Sequence, residues 1–105
     1  MYASIRRYRM AAGSLDDLIH RVDVEFADRL VEELGLLGYQ AVDTGDGTVT
    51  TVTLFEDEAA CRRAEAAAEG VRESLSEFQV ECTDVLTGEV MVSRAAAKVL
   101  KPVHH

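Results

Sequence analysis

Polar and apolar residues alternate from Tyr2 to Met10, with Ala3 and Ile5 on one face and Tyr2, Ser4, Arg6 and Tyr8 on the other. A period of two predicts a strand. Gly13 and Ser14 interrupt it, and the period then changes. Leu15, Leu18, Ile19, Val22, Phe26, Leu30 and Leu34 follow at steps of three and four. That is the stripe of one amphipathic helix over Leu15 to Leu34. Ser14 suits its N-cap, Asp16 and Asp17 complement the positive end of its dipole, and Gly35 suits its stop.

Leu37 to Asp43 reads as a second short strand, with Tyr39 and Ala41 on one face and Gln40 and Val42 on the other. Asp46-Gly47 is a strong hairpin signal and joins it to a strand over Thr48 to Phe55. Asp57 can cap a second helix, Glu58 to Ser76, with an inner stripe of Ala60, Ala64, Ala67, Val71 and Leu75. Gly70 sits inside that helix at a cost of about 1 kcal/mol relative to alanine. Two short alternations close the pattern, Val80 with Cys82 and Val90 with Val92, the latter with Met91 opposite. Thr87-Gly88 is read as a turn or bulge between them. Residues 1–93 form one domain, and residues 94–105 are a tail without an assigned element. His104 and His105 can be native or begin a purification tag, and take no part in site reasoning.

The predicted order is strand, helix, strand, strand, helix, strand. This is the ferredoxin-like split βαβ pattern of an α+β domain, an antiparallel sheet with both helices on one face. A sheet with one wet face shows clean alternation. Thr48–Phe55 does not, because Val49, Thr51, Thr53 and Phe55 oppose Thr50, Val52 and Leu54. Tyr2, Tyr8, Ala41 and Met91 add to the semi-apolar count. The simplest cover is a second copy, with two sheets packed face to face as a homodimer. The alternative is a monomer with a threonine-rich wet face.

A chain of 105 residues holds one core. Its net charge of −8 disfavours nucleic acid and anionic membrane surfaces. Arginines occupy the place of a signal peptide's hydrophobic region in MYASIRRYRM, and no apolar run approaches the roughly 18 residues of a membrane span. A cytoplasmic location is the resulting expectation. Cys61 and Cys82 lack metal-ligand spacing and read as small buried hydrophobes.

MYASIRRY at the start, GYQAVDTGDGTVTTVTLFED in the middle and TGEVMVS near the end resemble proteins related to the antibiotic biosynthesis monooxygenases. The likeness covers Met1 to Ser93 and is closest to a branch of short bacterial proteins, most without an assigned activity. It implies a ferredoxin-like protomer that pairs sheet to sheet as a dimeric α+β barrel. It also implies a pocket between sheet and helices in which characterised members oxidise aromatic or quinol-type substrates with molecular oxygen, without metal or flavin. Other members degrade haem. This chain departs from both catalytic branches in having no tryptophan, and Glu58 to Ser76 holds no axial histidine for haem. No cofactor or metal is expected, and no family catalytic residue maps onto a matching position.

The candidate chemistry therefore rests on residue types. His20, beside the apolar stripe of the first helix, can serve as a general base or stand as a half-exposed helix histidine. Asp23 is the one further ligand type at helical spacing from it, which disfavours a metal. Arg6 can pair with a carboxylate or phenolate of a ligand, or with the protein's own acids, including those across a dimer interface. Tyr8 and Tyr39 can stack on an aromatic ligand or belong to the core. Thr51 and Thr53 can line a polar cavity or pair across strands. The Asp43 to Gly47 segment lacks EF-hand spacing and leads into a strand, so it is turn chemistry and not a calcium or dinucleotide loop. Two functions are consistent with these readings. One is cofactor-independent oxygenation of a small aromatic or quinol metabolite, with His20, Tyr39 and Arg6 as catalytic candidates and Tyr8, Thr51 and Thr53 as substrate contacts. The other is a non-catalytic homodimer that binds a small ligand or serves a structural role.

Overall fold

The computed structural model describes residues 1–27, 32, 35–74 and 76–96. Its elements are β1 (Tyr2–Met10), α1 (Leu15–Arg21), which widens into a π-helical turn (Val22–Ala27), β2 (Gly38–Gly45), β3 (Thr48–Phe55), α2 (Glu58–Ser74), a 3-10 turn (Ser76–Phe78) and β4 (Val80–Glu89). The sheet order is β2-β3-β1-β4, with every neighbouring pair antiparallel. This is the ferredoxin-like α+β arrangement that the order of elements predicts.

Local chemistry accounts for the boundaries. The Asp17 N–H donates to Ser14 Oγ at 3.2 Å, and the Ala60 N–H donates to Asp57 Oδ1 at 2.8 Å. Each cap satisfies an orphan N–H of a first helical turn. Asp46 and Gly47 both have positive φ, 54° and 74°, which makes the β2–β3 link a two-residue primed turn. The first helix departs from the uniform α-helix over Leu15 to Leu34 that the stripe predicts. It turns π-helical at Val22, where β-branched valines flank Asp23 and α-helix propensity is low. Leu30, Leu34 and Leu75 lie outside the described residues, as do residues 97–105 of the tail and the side chains of Phe26 and Val71.

Three further expectations are corrected. The last strand is continuous from Val80 to Glu89, so Thr87-Gly88 is no turn but pairs within the ladder, opposite Ser4 and Ala3. The irregularity falls instead at Thr83, where Arg7 pairs Asp84 but Tyr8 pairs Cys82. The alternation at Val90 to Val92 lies beyond the strand, with Met91 and Val92 exposed. Finally, Ala67 is exposed. The buried side of α2 runs through Ala60, Cys61 and Ala64, and Ala67 lies at one edge of that side.

The core lies between the sheet and the helices in two clusters. Leu36, Phe55, Ala60, Cys61 and Ala64 form the first, with Tyr2 and Tyr39 packed on it. Leu18 and Phe78 form the second, with Met10, Leu15, Val22 and Val80. They occupy opposite ends of β1, at Tyr2 and at Met10. The stretch of β1 between them is polar on the same side, at Ser4, Arg6 and Tyr8.

Burial also answers which side of β3 faces the core. Val49, Thr51 and Phe55 are buried, and Thr50, Val52 and Leu54 are not. Tyr2, Tyr8 and Ala41 share the helix side with them, so they add nothing to the open face. The open face is apolar by other residues. Val52, Ile5 and Leu86 stand in one register row with Gln40, and Leu54 and Ala3 stand in the next. Ile5 is 40% exposed and Leu86 is 66% exposed.

Candidate functional site

The polar middle of the helix side is a product of register. Ala41, Thr51, Arg6 and Val85 form one row across the four strands, and Tyr39, Thr53, Ser4 and Thr87 form the next. Five residues singled out in the sequence, Arg6, Tyr8, Tyr39, Thr51 and Thr53, are thereby brought to the helix side of one sheet. They come from three strands and are as far as 47 positions apart in the chain.

α2 supplies the counter-charge. Glu65 reaches down to Arg6, whose Nη2 stands 3.0 Å from the Glu65 carboxylate. The Arg6 side chain is 18% exposed and that of Glu65 38%. Within the protomer, Arg6 thus pairs with an acid of its own chain. Burial works against the Arg6 cation, but Tyr8 and Glu65 beside it outweigh burial and raise its pKa. Tyr39 is pushed up to about 12, first by burial and then by the nearby Tyr8 phenol. At neutral pH Tyr39 is thus a neutral hydroxyl, able to donate a hydrogen bond. Cys61 lies against the same acid. Burial, with Glu65 adding to it, raises its thiol pKa, which makes it a poor nucleophile.

One group in these rows has no protein partner. Ser4 Oγ is buried without a hydrogen bond, in a residue only 4% exposed. Buried hydroxyls are paired in the large majority of cases, so an unpaired one calls for a reason. Sequence reasoning passed over Ser4 and Glu65. The alternation of β1 already placed Ser4 beside Arg6, but nothing in the sequence aligned Glu65 with the sheet.

His20 is not brought to this cluster. It is exposed on α1 and lines a separate cleft of about 400 Å³ with Gly13, Asp17, Arg21, Val24, Glu77 and Phe78. There Arg21 forms an ion pair with Glu77, and its guanidinium carbon stands 5.5 Å from the Phe78 ring centroid. Among the described residues no three His, Cys, Asp or Glu side chains are grouped as metal ligands, and no helix is long and apolar enough to cross a membrane.

Several solved structures share this fold. A putative antibiotic biosynthesis monooxygenase from Deinococcus radiodurans superimposes with a TM-score of 0.69 at 15% identity, over 91% of this chain and 98% of that one. A dimeric ferredoxin-like protein from an uncultured marine organism gives 0.68 at 9% identity, over 91% and 100%. SnoaB, a cofactor-independent oxygenase from Streptomyces nogalater, gives 0.64 at 13% identity, over 88% and 94%. The chain has the antibiotic biosynthesis monooxygenase fold. At these identities the likeness is one of fold, and residue roles rest on the geometry above. No family model matches the chain, and no curated protein does.

Proposed function

We propose that this chain is a cytoplasmic homodimer that oxidises a small aromatic or quinol-type compound with molecular oxygen and no cofactor. The compound binds on the helix side of the sheet, over the rows of Arg6 and Tyr39. The observation that carries this reading is that the Arg6 cation and the neutral Tyr39 hydroxyl lie on the same face of the sheet, on strands either side of β3, with Tyr39 packed on one of the two apolar clusters. Apolar clusters at both ends of these rows suit a ring, and a cation and a hydrogen-bond donor suit its phenolate or enolate oxygen. Tyr8, Thr51 and Thr53 complete the polar floor. The fold shared with a cofactor-independent oxygenase supports the reaction class.

For an anthrone-type ring the reaction balances as one ring methylene and one dioxygen giving one ring carbonyl and one water. The methylene carbon loses a proton, and the resulting carbanion gives its electrons to oxygen. A carbon–oxygen bond forms, the oxygen–oxygen bond breaks, and loss of water with the second methylene hydrogen leaves the carbonyl. Arg6 and Tyr39 hold the oxygen on which negative charge gathers, and so favour the ionised ring.

The open face supports the dimer. Its Ile5, Val52, Leu54 and Leu86 would be covered by a second copy, and a dimeric ferredoxin-like protein shares the fold.

A second reading, a non-catalytic ligand-binding homodimer, has two observations in its favour. Arg6 is already neutralised by Glu65, and His20 stands in another cleft. Oxygen uptake with anthrone separates the two. The first reading expects uptake that falls at least tenfold in Arg6→Met and Tyr39→Phe. Binding without uptake establishes the second.

A further inference from the structure

We propose that Ser4 is a specificity-determining residue of this site, its hydroxyl pairing with an oxygen substituent on the bound ring. The inference deepens the reading above and rests on it. Its basis is the only buried side-chain oxygen or nitrogen without a hydrogen-bond partner among the described residues.

Three observations place that oxygen. First, Ser4 stands in the register row of Tyr39, Thr53 and Thr87, one residue pair away from the row of Thr51 and Arg6. All point to the helix side, so Ser4 belongs to the polar floor between the two apolar clusters. Second, the residue is 4% exposed, and its oxygen reaches neither bulk water nor a neighbouring acceptor. Alanine would fill nearly the same space without stranding a hydroxyl, so in the ligand-free protein serine is the less favourable of the two. Third, hydroxyls elsewhere in the fold find partners with ease: Ser14 caps α1, and Thr44 bonds Thr48.

A hydroxyl that is a burden when the site is empty and is satisfied when it is full contributes to binding in full. Ser4 is closed off from solvent in the ligand-free domain, so a ring reaches it only when its cover moves. A ring that carries hydroxyl or carbonyl oxygen then gains a bond that a hydrocarbon ring of the same shape cannot make.

The test uses the full chain and Ser4→Ala, with 1-naphthol and 1-methylnaphthalene as probes, which differ in a hydroxyl against a methyl group. The wild type should prefer 1-naphthol, and Ser4→Ala should cut that preference about tenfold by losing affinity for 1-naphthol alone. The melting temperature of ligand-free Ser4→Ala should be equal to or above that of the wild type. An unchanged preference in a variant that still binds both probes overturns the role of Ser4 and leaves the site standing. A wild type that binds neither probe overturns the site reading and this inference with it. A lowered melting temperature without ligand shows that Ser4 bonds an internal partner, and also overturns the proposal.

Discussion

The Arg6 guanidinium stands 3.0 Å from the Glu65 carboxylate and so ties the central strand β1 to α2 beside the candidate site. The two are 59 positions apart in sequence, and each is only partly exposed, so the pair lies between the regimes of a surface and a buried salt bridge. With Glu65 38% exposed, solvent screens part of the attraction. A double-mutant cycle of Arg6→Met and Glu65→Gln should return a coupling of about 1 kcal/mol by urea denaturation, falling as salt is added. A coupling of zero would mean that the contact contributes nothing to stability.

Tyr39 should make stability depend on alkaline pH. Its pKa of about 12 in the fold exceeds the ordinary value of 10.0. The folded state therefore holds the proton more tightly than the unfolded state. Its contribution is fully present below pH 10 and is lost as pH rises towards 12, a change on the order of 2 to 3 kcal/mol. Tyr39→Phe should flatten that slope. In a spectrophotometric titration of the three tyrosines, the last should ionise only as the fold is lost.

Gly13 should not tolerate alanine. It has φ +78°, and a Cβ there would lie 2.8 Å from Cδ1 of the buried Phe78. Backbone strain and overpacking together should cost about 2 to 3 kcal/mol. A shift in the urea midpoint of Gly13→Ala by less than a third of that would show that Phe78 gives way.

The open sheet face should govern assembly. Ile5 lies at its centre, in the row of Val52 and Leu86. Ile5→Glu should convert a dimer to a monomer by light scattering, because each copy would bury an unpaired charge under its partner. The fold should survive, since Ile5 makes no part of either core cluster. A wild-type chain that runs as a monomer removes the dimer.

Several of these relationships are legible in the sequence. The period-two stretches, the Ser14 and Asp57 caps and the Asp46-Gly47 turn depend on neighbours a few residues away, and local sterics settle them. The alternation of β1 likewise puts Ser4, Arg6 and Tyr8 on one face by periodicity alone. The continuity of β4 is not legible, because Gly88 has weak strand propensity and is held in the ladder by pairing with Ala3.

The sequence by itself determined the class of fold, the order of its elements and which residues share a strand face, since each follows from periodicity and short-range backbone preference. Only the tertiary structure decided which face of the sheet meets the helices, that His20 stands apart from Arg6, that Glu65 closes on Arg6 and that Ser4 is left without a partner. The physical reason is that these depend on strand register and on how α2 lies across the sheet. Both are set by the burial of Phe55, Cys61 and Ala64 in one cluster, with contacts far apart along the chain.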